Sequence, residues 1–463
     1  MPLDHSALLS DAARKRPKSV IRELLVMEKR PGMISMLAGK PNPEGFPFSS
    51  ITMDIKLTGQ SEPVKLTMDS DLLNESLQYS LTPGINALLD AYARIIARVH
   101  GRTIDDGSAA GDFALSSGVG SQDLITKAFG VVLNPGETVL TEAPLYTGVL
   151  PSLTALEANV VGVDTDKEGL SARALEAKLA SWKTDPATAS LPFPKILYTV
   201  PAGSNPAGTT ASVERKREVL AIVRRYGILL FEDDPYYYLA FDGLGEDPVS
   251  RPRIPSYFAL EREGDDYGYV IRFESLSKII SAGLRLGFVY GPRTIVRTID
   301  VVTASTNLHP SGISQAATAT LLDYWGVDGF LRHVDSVSAM YKERRDMFAS
   351  YAEKHLGSGG GQQPLAKWVL PVAGMFFWFK LHLPPTENAP EGDSSDLMLK
   401  KAADGGVLLV PGAAFFPTPG PVPYARASFS LIEPADVDEG LRRLRAVIEE
   451  AWHSAGYDSI PPI

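Results

Sequence analysis

Seven short runs rich in Val, Ile, Leu, Tyr and Phe recur through the middle of the chain: FALSS, ETVLTE, NVVGVD, KILYTV, GILLFED, YVIRFE and LRLGFVY. Between several of them lie helical stretches such as SARALEAKLASW and SVERKREVLAIVRRY. A strand that must return parallel to its neighbour needs a crossover, and a helix supplies it. This alternation therefore predicts an α/β unit around a mostly parallel sheet, covering residues 72–310. The remainder reads differently. WVLPVAGMFFWFKL and VLLVPGAAFF look like strands, and ADVDEGLRRLRAVIEEAW like a terminal amphipathic helix. We expect residues 311–463 to form a smaller α+β unit, with residues 1–71 as an N-terminal arm that joins it.

Composition narrows the chemistry. The chain of 463 residues contains no cysteine, which excludes disulfides, thiolate metal sites and cysteine nucleophiles. The seven histidines are scattered without an H-E-x-x-H pair, so no metal is expected. A net charge of -10 argues against a nucleic-acid partner. No apolar run reaches spanning length and the N-terminus lacks a secretory core, so no membrane partner is expected and the cytoplasm is the default compartment.

Four segments carry candidate chemistry. In Arg272–Gly287, RFESLSKIISAGLRLG, a strand ends in serine-rich turn residues and delivers Lys278 among small and apolar neighbours. Open α/β sheets place their sites at the carboxyl ends of strands. Arg285, seven residues on, can bring a second cation to the same phosphate. In FEDDPYY, Phe231–Tyr237, the consecutive acids suit Mg²⁺, a solvated turn, or a salt bridge to a protonated ring nitrogen. YTVPAGSNPAG places Asn205 in a Pro/Gly turn after a strand. SGVGSQ, Ser117–Gln122, opens onto a helix whose first amides and Ser121 could cradle phosphate.

Taken in this order, SLSK with GLRLG, EDDPYY and VPAGSNPAG resemble the fold-type I PLP (pyridoxal 5'-phosphate) enzymes of the class I/II aminotransferase family. The likeness is nearest to the kynurenine/2-aminoadipate and fungal aromatic aminotransferase branch. ISMLAGKPNPEGFPF, LQYSLTPGI, NPGETVLTEAPLY, TNLHPS and PYARASFS extend it nearly end to end. It implies a large domain with a mostly parallel seven-stranded sheet sandwiched by helices, plus a smaller α+β domain. It also implies a homodimer with shared active sites.

The resemblance assigns roles to individual residues. Lys278 would form the Schiff base with PLP and shuttle the substrate Cα proton. Asp234 would be the counter-ion of the pyridine nitrogen, preferred to Asp233 because Tyr237 then falls at the family's three-residue spacing. Tyr237 and Asn205 would bond the ring's phenolic oxygen, and Tyr146 would stack on the ring. Ser121, Gln122, Ser275, Ser277 and Arg285 would hold the phosphate, with Tyr79 reaching that of the neighbouring subunit. Arg426 would fork the substrate α-carboxylate, and Asn205, Arg22, Gly39 and Phe376 would touch substrate. The reaction implied is transfer of the amino group of Phe, Tyr or Trp to 2-oxoglutarate, with kynurenine and 2-aminoadipate as further donors. A PLP-dependent lyase or β-eliminase shares the same machinery. A PLP-sensing transcription regulator would need a winged helix ahead of residue 19, where the likeness begins.

Overall fold

The computed structural model describes residues 3–20, 24, 27, 30–37, 39–57, 60–108, 111–264, 266–359 and 362–463. The runs read as strands from the sequence form one sheet. Its order is β3 (Phe113–Gly118), β10 (Gly287–Pro292), β9 (Val270–Ser275), β8 (Leu229–Asp233), β7 (Ile196–Thr199), β4 (Thr138–Ala143), β5 (Asn159–Asp166) and β6 (Gly169–Leu170). The pairs β9–β8, β8–β7, β7–β4 and β4–β5 are parallel. β10 runs antiparallel to both β3 and β9, and the two-residue β6 folds back antiparallel on β5. The sheet thus has eight strands rather than the expected seven; a return of two residues leaves no hydrophobic periodicity to read.

The central strands are buried on every residue, as a sheet covered on both faces demands. The helix Ser121–Val132 covers one face, its Phe129 ring lying 5.3 Å from that of Phe231 and 5.9 Å from that of Tyr198. A second, antiparallel sheet has the order β11 (Ala366–Lys367), β12 (Phe376–Leu381), β14 (Tyr424–Ser428), β13 (Val410–Pro411). Its core is separate and is built on Phe348, Phe377, Phe379, Phe429 and Trp452. A hairpin of β1 (Thr52–Ile55) and β2 (Val64–Thr67) precedes both.

Two features differ from the domain division expected above. The long helix Gly312–His355 serves both cores: Ala316, Leu322 and Phe330 pack into the larger one, Phe348 and Ala352 into the smaller. Its backbone breaks at Gly326, where φ is 57°. The described part of the arm packs on the large unit, not the small one. Ser10 donates from its amide to the Val131 carbonyl and from its hydroxyl to that of Gly130, both at 2.8 Å, and Ala13 joins the larger core. A short apolar stretch does not encode which of two cores will accept it. No helix of the described residues is long and apolar enough to cross a membrane.

Candidate active site

β8, β9 and β7 end side by side, and the loops leaving them enclose a cavity of about 270 Å³. Its lining includes Lys278, Asp233, Tyr236, Asn205, Tyr146 and Phe376, with Ser121, Gln122, Ser275, Ser277 and Arg285 at one end. Lys278 ends the short turn Leu276–Lys278 that follows β9. Burial, and then the Arg285 guanidinium, lower the pKa of its ammonium. Such a lysine gives up its proton more readily than a surface one.

The polar end is a basic cradle at a helix start. Ser121 opens the helix Ser121–Val132, whose first amides have no acceptor within the helix and no side-chain cap at Gly120. Arg285 crosses this end, donating to the Ser277 hydroxyl at 3.4 Å and the Val119 carbonyl at 3.3 Å. Gly120 permits the approach: its φ is +87°, and a Cβ there would stand 2.8 Å from Arg285 Nη2. Gln122 holds the Gly148 carbonyl at 2.8 Å. Ser275 accepts from the Ser277 amide, fixing the turn that carries Lys278.

At the other end the small sheet reaches in. Arg426 on β14 donates to Asn205 Oδ1 at 2.9 Å, and its guanidinium lies 4.6 Å from the centre of the Phe376 ring. Tyr236 meets the same ring edge-on at 5.9 Å. The loop holding Asn205 is locked to the small unit by two glycines back to back. Gly203 (φ +53°) would place a Cβ 2.6 Å from the Gly374 amide nitrogen.

The acid next to the cavity is Asp233, not Asp234, and the tyrosine is Tyr236, not Tyr237. Successive side chains of a strand point to opposite faces. Asp233 ends β8 on the cavity face, so Glu232 and Asp234 both turn to the other. There Asp234 binds Arg272 at 2.8 Å, with neither side chain exposed, and Glu232 and Glu274 share the same guanidinium. Tyr237 covers that guanidinium at 4.7 Å. The three-residue spacing fits both Asp–Tyr pairs, so spacing could not separate them. Alternation pairs the residues by face, but only the tertiary arrangement shows which face opens on the cavity.

Other expectations fall outside the pocket. Tyr79 is 50% exposed, edge-on to His309, and does not line it. Gly39 is exposed with open space around it. Arg22 lies outside the described residues. Val200 and Pro235 line the cavity without having been singled out.

Among the described residues, Asp233 Oδ1, Gln122 Oε1 and Arg426 Nε are buried around this site without a hydrogen-bond partner. A buried polar atom without a partner is costly. An anion cradle at one end, a lysine beside it, and an unsatisfied carboxylate oxygen across the cavity suit a phosphorylated pyridine aldehyde. Arg426 then remains for a second anion, of carboxylate shape.

Comparison with known proteins agrees. The family model for aminotransferase class I and II matches residues 66–444. The chain is 40% identical over 453 residues to aminotransferase tdiD of Emericella nidulans, covering 97% of this chain and 98% of that one. It is 35% identical to the mitochondrial kynurenine/alpha-aminoadipate aminotransferase of Mus musculus, covering 97% and 100%. Among solved structures, the aromatic aminotransferase Aro9 from C. albicans superposes with a TM-score of 0.84 at 25% identity, covering 98% of this chain and 99% of that one. The chain belongs to the aminotransferase class I and II family and is a PLP-dependent transaminase.

Proposed function

We propose that this chain transfers the amino group of aromatic amino acids to 2-oxoglutarate in two ping-pong half-reactions. The observation that carries the reading is the cavity itself. Lys278, the unpartnered Asp233 Oδ1 and the Arg285 cradle line one pocket, and Arg426 reaches its edge through Asn205. When bound, PLP supplies the electron sink and carries the amino group between the two acids.

The protein's own groups do the rest. Ser121, Ser275, Ser277, Gln122 and Arg285 would anchor the phosphate end, with Arg285 supplying the charge-assisted contact. Asp233, whose Oδ1 is left without a partner among the described residues, would accept from the ring nitrogen and, as a carboxylate, would keep it protonated. Tyr236 and Asn205 would bond the ring's oxygen and Tyr146 would cover a ring face, a reading supported by their shared place in the cavity lining. Lys278 Nζ, depressed in pKa, would move the proton from the amino donor's Cα to the cofactor carbon that gains the amino group, and would move one the opposite way, onto the Cα of the 2-oxo acid, in the second half-reaction. Arg426 binds the α-carboxylate and so orients the Cα–H bond toward Lys278. Tyr146, Tyr236 and Phe376 offer an aromatic donor side chain a wall of rings. The names of the mouse and C. albicans relatives support aromatic donors, with kynurenine and 2-aminoadipate alongside.

The large sheet unit carries the cradle and Lys278, and the small unit carries Arg426 and Phe376. The enzyme works as a homodimer in which Tyr79 reaches the neighbour's phosphate; its half-exposed ring supports this. Light scattering gives the mass directly, and a monomer would defeat this point. The compartment is the cytoplasm, to be checked by fractionation, since the mouse relative is named mitochondrial.

The decisive experiment is an absorbance scan of the purified holoenzyme during addition of single amino acids. Aromatic donors should bleach the cofactor's visible band, and 2-oxoglutarate should restore it. Lys278→Ala should lose turnover entirely. Response to short aliphatic donors alone would sink the donor assignment, and release of ammonia with a 2-oxo acid would indicate a lyase.

A further inference from the structure

One titratable side chain beneath the cavity has no role above. Tyr198, on β7, is 1% exposed. β7 pairs parallel with β8, and Tyr198 lies opposite Phe231, so Tyr198, Phe231 and Asp233 share a face of the sheet. The Tyr198 hydroxyl donates to Asp233 Oδ2 at 2.6 Å, while Oδ1 has no partner among the described residues.

We propose that Tyr198 is a positioning residue for Asp233. Its hydroxyl occupies one carboxylate oxygen, fixes the rotamer, and leaves Oδ1 alone to meet the cofactor's ring nitrogen as a charged acceptor. This rests on the reading of Asp233 as the partner of that nitrogen.

The surroundings show why a donor is needed there. Burial pushes Asp233 up to about 7, and the Tyr198 hydrogen bond is the foremost influence in the other direction. The neighbouring titratable groups are Asp234 and Tyr236 on the same segment, Glu142 on β4, Tyr146 in the loop after it, and Arg272 on β9. The carboxyls disfavour a charge on Asp233. Arg272 favours one, but its short contacts go to Glu232, Asp234 and Glu274 on the opposite face. Tyr198 itself stays protonated, because burial and then Asp233 hold its phenol well above its ordinary value. Across the working range it is therefore a permanent donor.

The test uses holoenzyme loaded with PLP labelled with ¹⁵N in the ring, and follows the nitrogen's chemical shift against pH. Tyr198→Phe keeps the ring and removes the hydroxyl. Its midpoint for ring-nitrogen deprotonation should fall by roughly one to two pH units, about a ten- to hundredfold loss of proton affinity. The dissociation constant for PLP should rise in parallel. Asp233→Asn should lower the midpoint at least as far. Incorporating 3-fluorotyrosine at 198, a stronger donor of nearly the same shape, should hold the midpoint at or above that of the wild type. It also decides the matter if the phenylalanine variant does not fold. A Tyr198→Phe curve that overlays the wild type while Asp233→Asn shifts overturns the role of Tyr198 and leaves Asp233 in place. A fluorotyrosine midpoint below the wild type also overturns it. An overlay by Asp233→Asn removes the reading of Asp233, and this proposal with it.

Discussion

Asp233 and Asp234 are adjacent in sequence, yet asparagine at each should damage a different property. Asp234 Oδ2 lies 2.8 Å from Arg272 Nη1, and neither side chain is exposed. Removing one member of a buried pair costs about 3–5 kcal/mol. Asparagine keeps the volume and one acceptor, so the low end, about 3 kcal/mol, applies. Unfolding entropy is about 2.1 cal/mol/K per residue, which over this chain amounts to about 1 kcal/mol/K. Asp234→Asn should therefore lower Tm by about 3 °C and spare most of kcat in folded enzyme. Among the described residues Asp233 has no ion pair to lose, and its bond from Tyr198 is worth at most about 3 kcal/mol. The amide oxygen can still accept that bond, so Asp233→Asn should change the apoprotein's Tm by less than about 1 °C. Its kcat should fall on the order of 10²–10³, the usual loss when a preorganised charge is removed from the reacting centre. Differential scanning calorimetry of the apoproteins and steady-state transamination of the holoenzymes read the two properties separately. The reverse pattern, with a stable but inactive Asp234→Asn and a fully active Asp233→Asn, would refute the argument from strand alternation.

Arg426→Lys retains a charge but loses the planar fork, so KM for the amino donor should rise about ten- to hundredfold in steady-state assays. An unchanged KM would show that the carboxylate binds elsewhere. Glu142 is buried, accepts from Thr199 and Ser204, and is pushed from 4.5 up to about 7 by its burial. Between those values the folded state holds a proton that the unfolded state has released. Its contribution is thus present below about pH 4.5 and lost as pH rises to about 7, by at most roughly 3 kcal/mol. Urea midpoints measured at about pH 5 and about pH 8 should differ less in Glu142→Gln than in the wild type, and equal differences would contradict this.

The strands, their helical crossovers and the turn bearing Lys278 are local features, written in hydrophobic periodicity and in Ser, Gly and Pro at strand ends. So they were legible residue by residue. The cradle residues were legible too, because Ser121, Gln122, Ser275, Ser277 and Arg285 sit within a few positions of those strand ends. Which of two neighbouring aspartates serves the cavity was not, because a run of LLFEDD is apolar and then acidic with no mark of which face opens inward. That depends on what packs on each side. The helix Ser121–Val132 and the cavity lie on the Asp233 face, and Arg272 from the neighbouring strand lies on the face of Asp234. The bond from Tyr198 to Asp233 spans 35 residues of sequence and exists only through the pairing of β7 with β8. The arm follows the same rule. Its place on the large unit was decided by the Gly130 and Val131 carbonyls left open at the end of a helix, to which Ser10 donates.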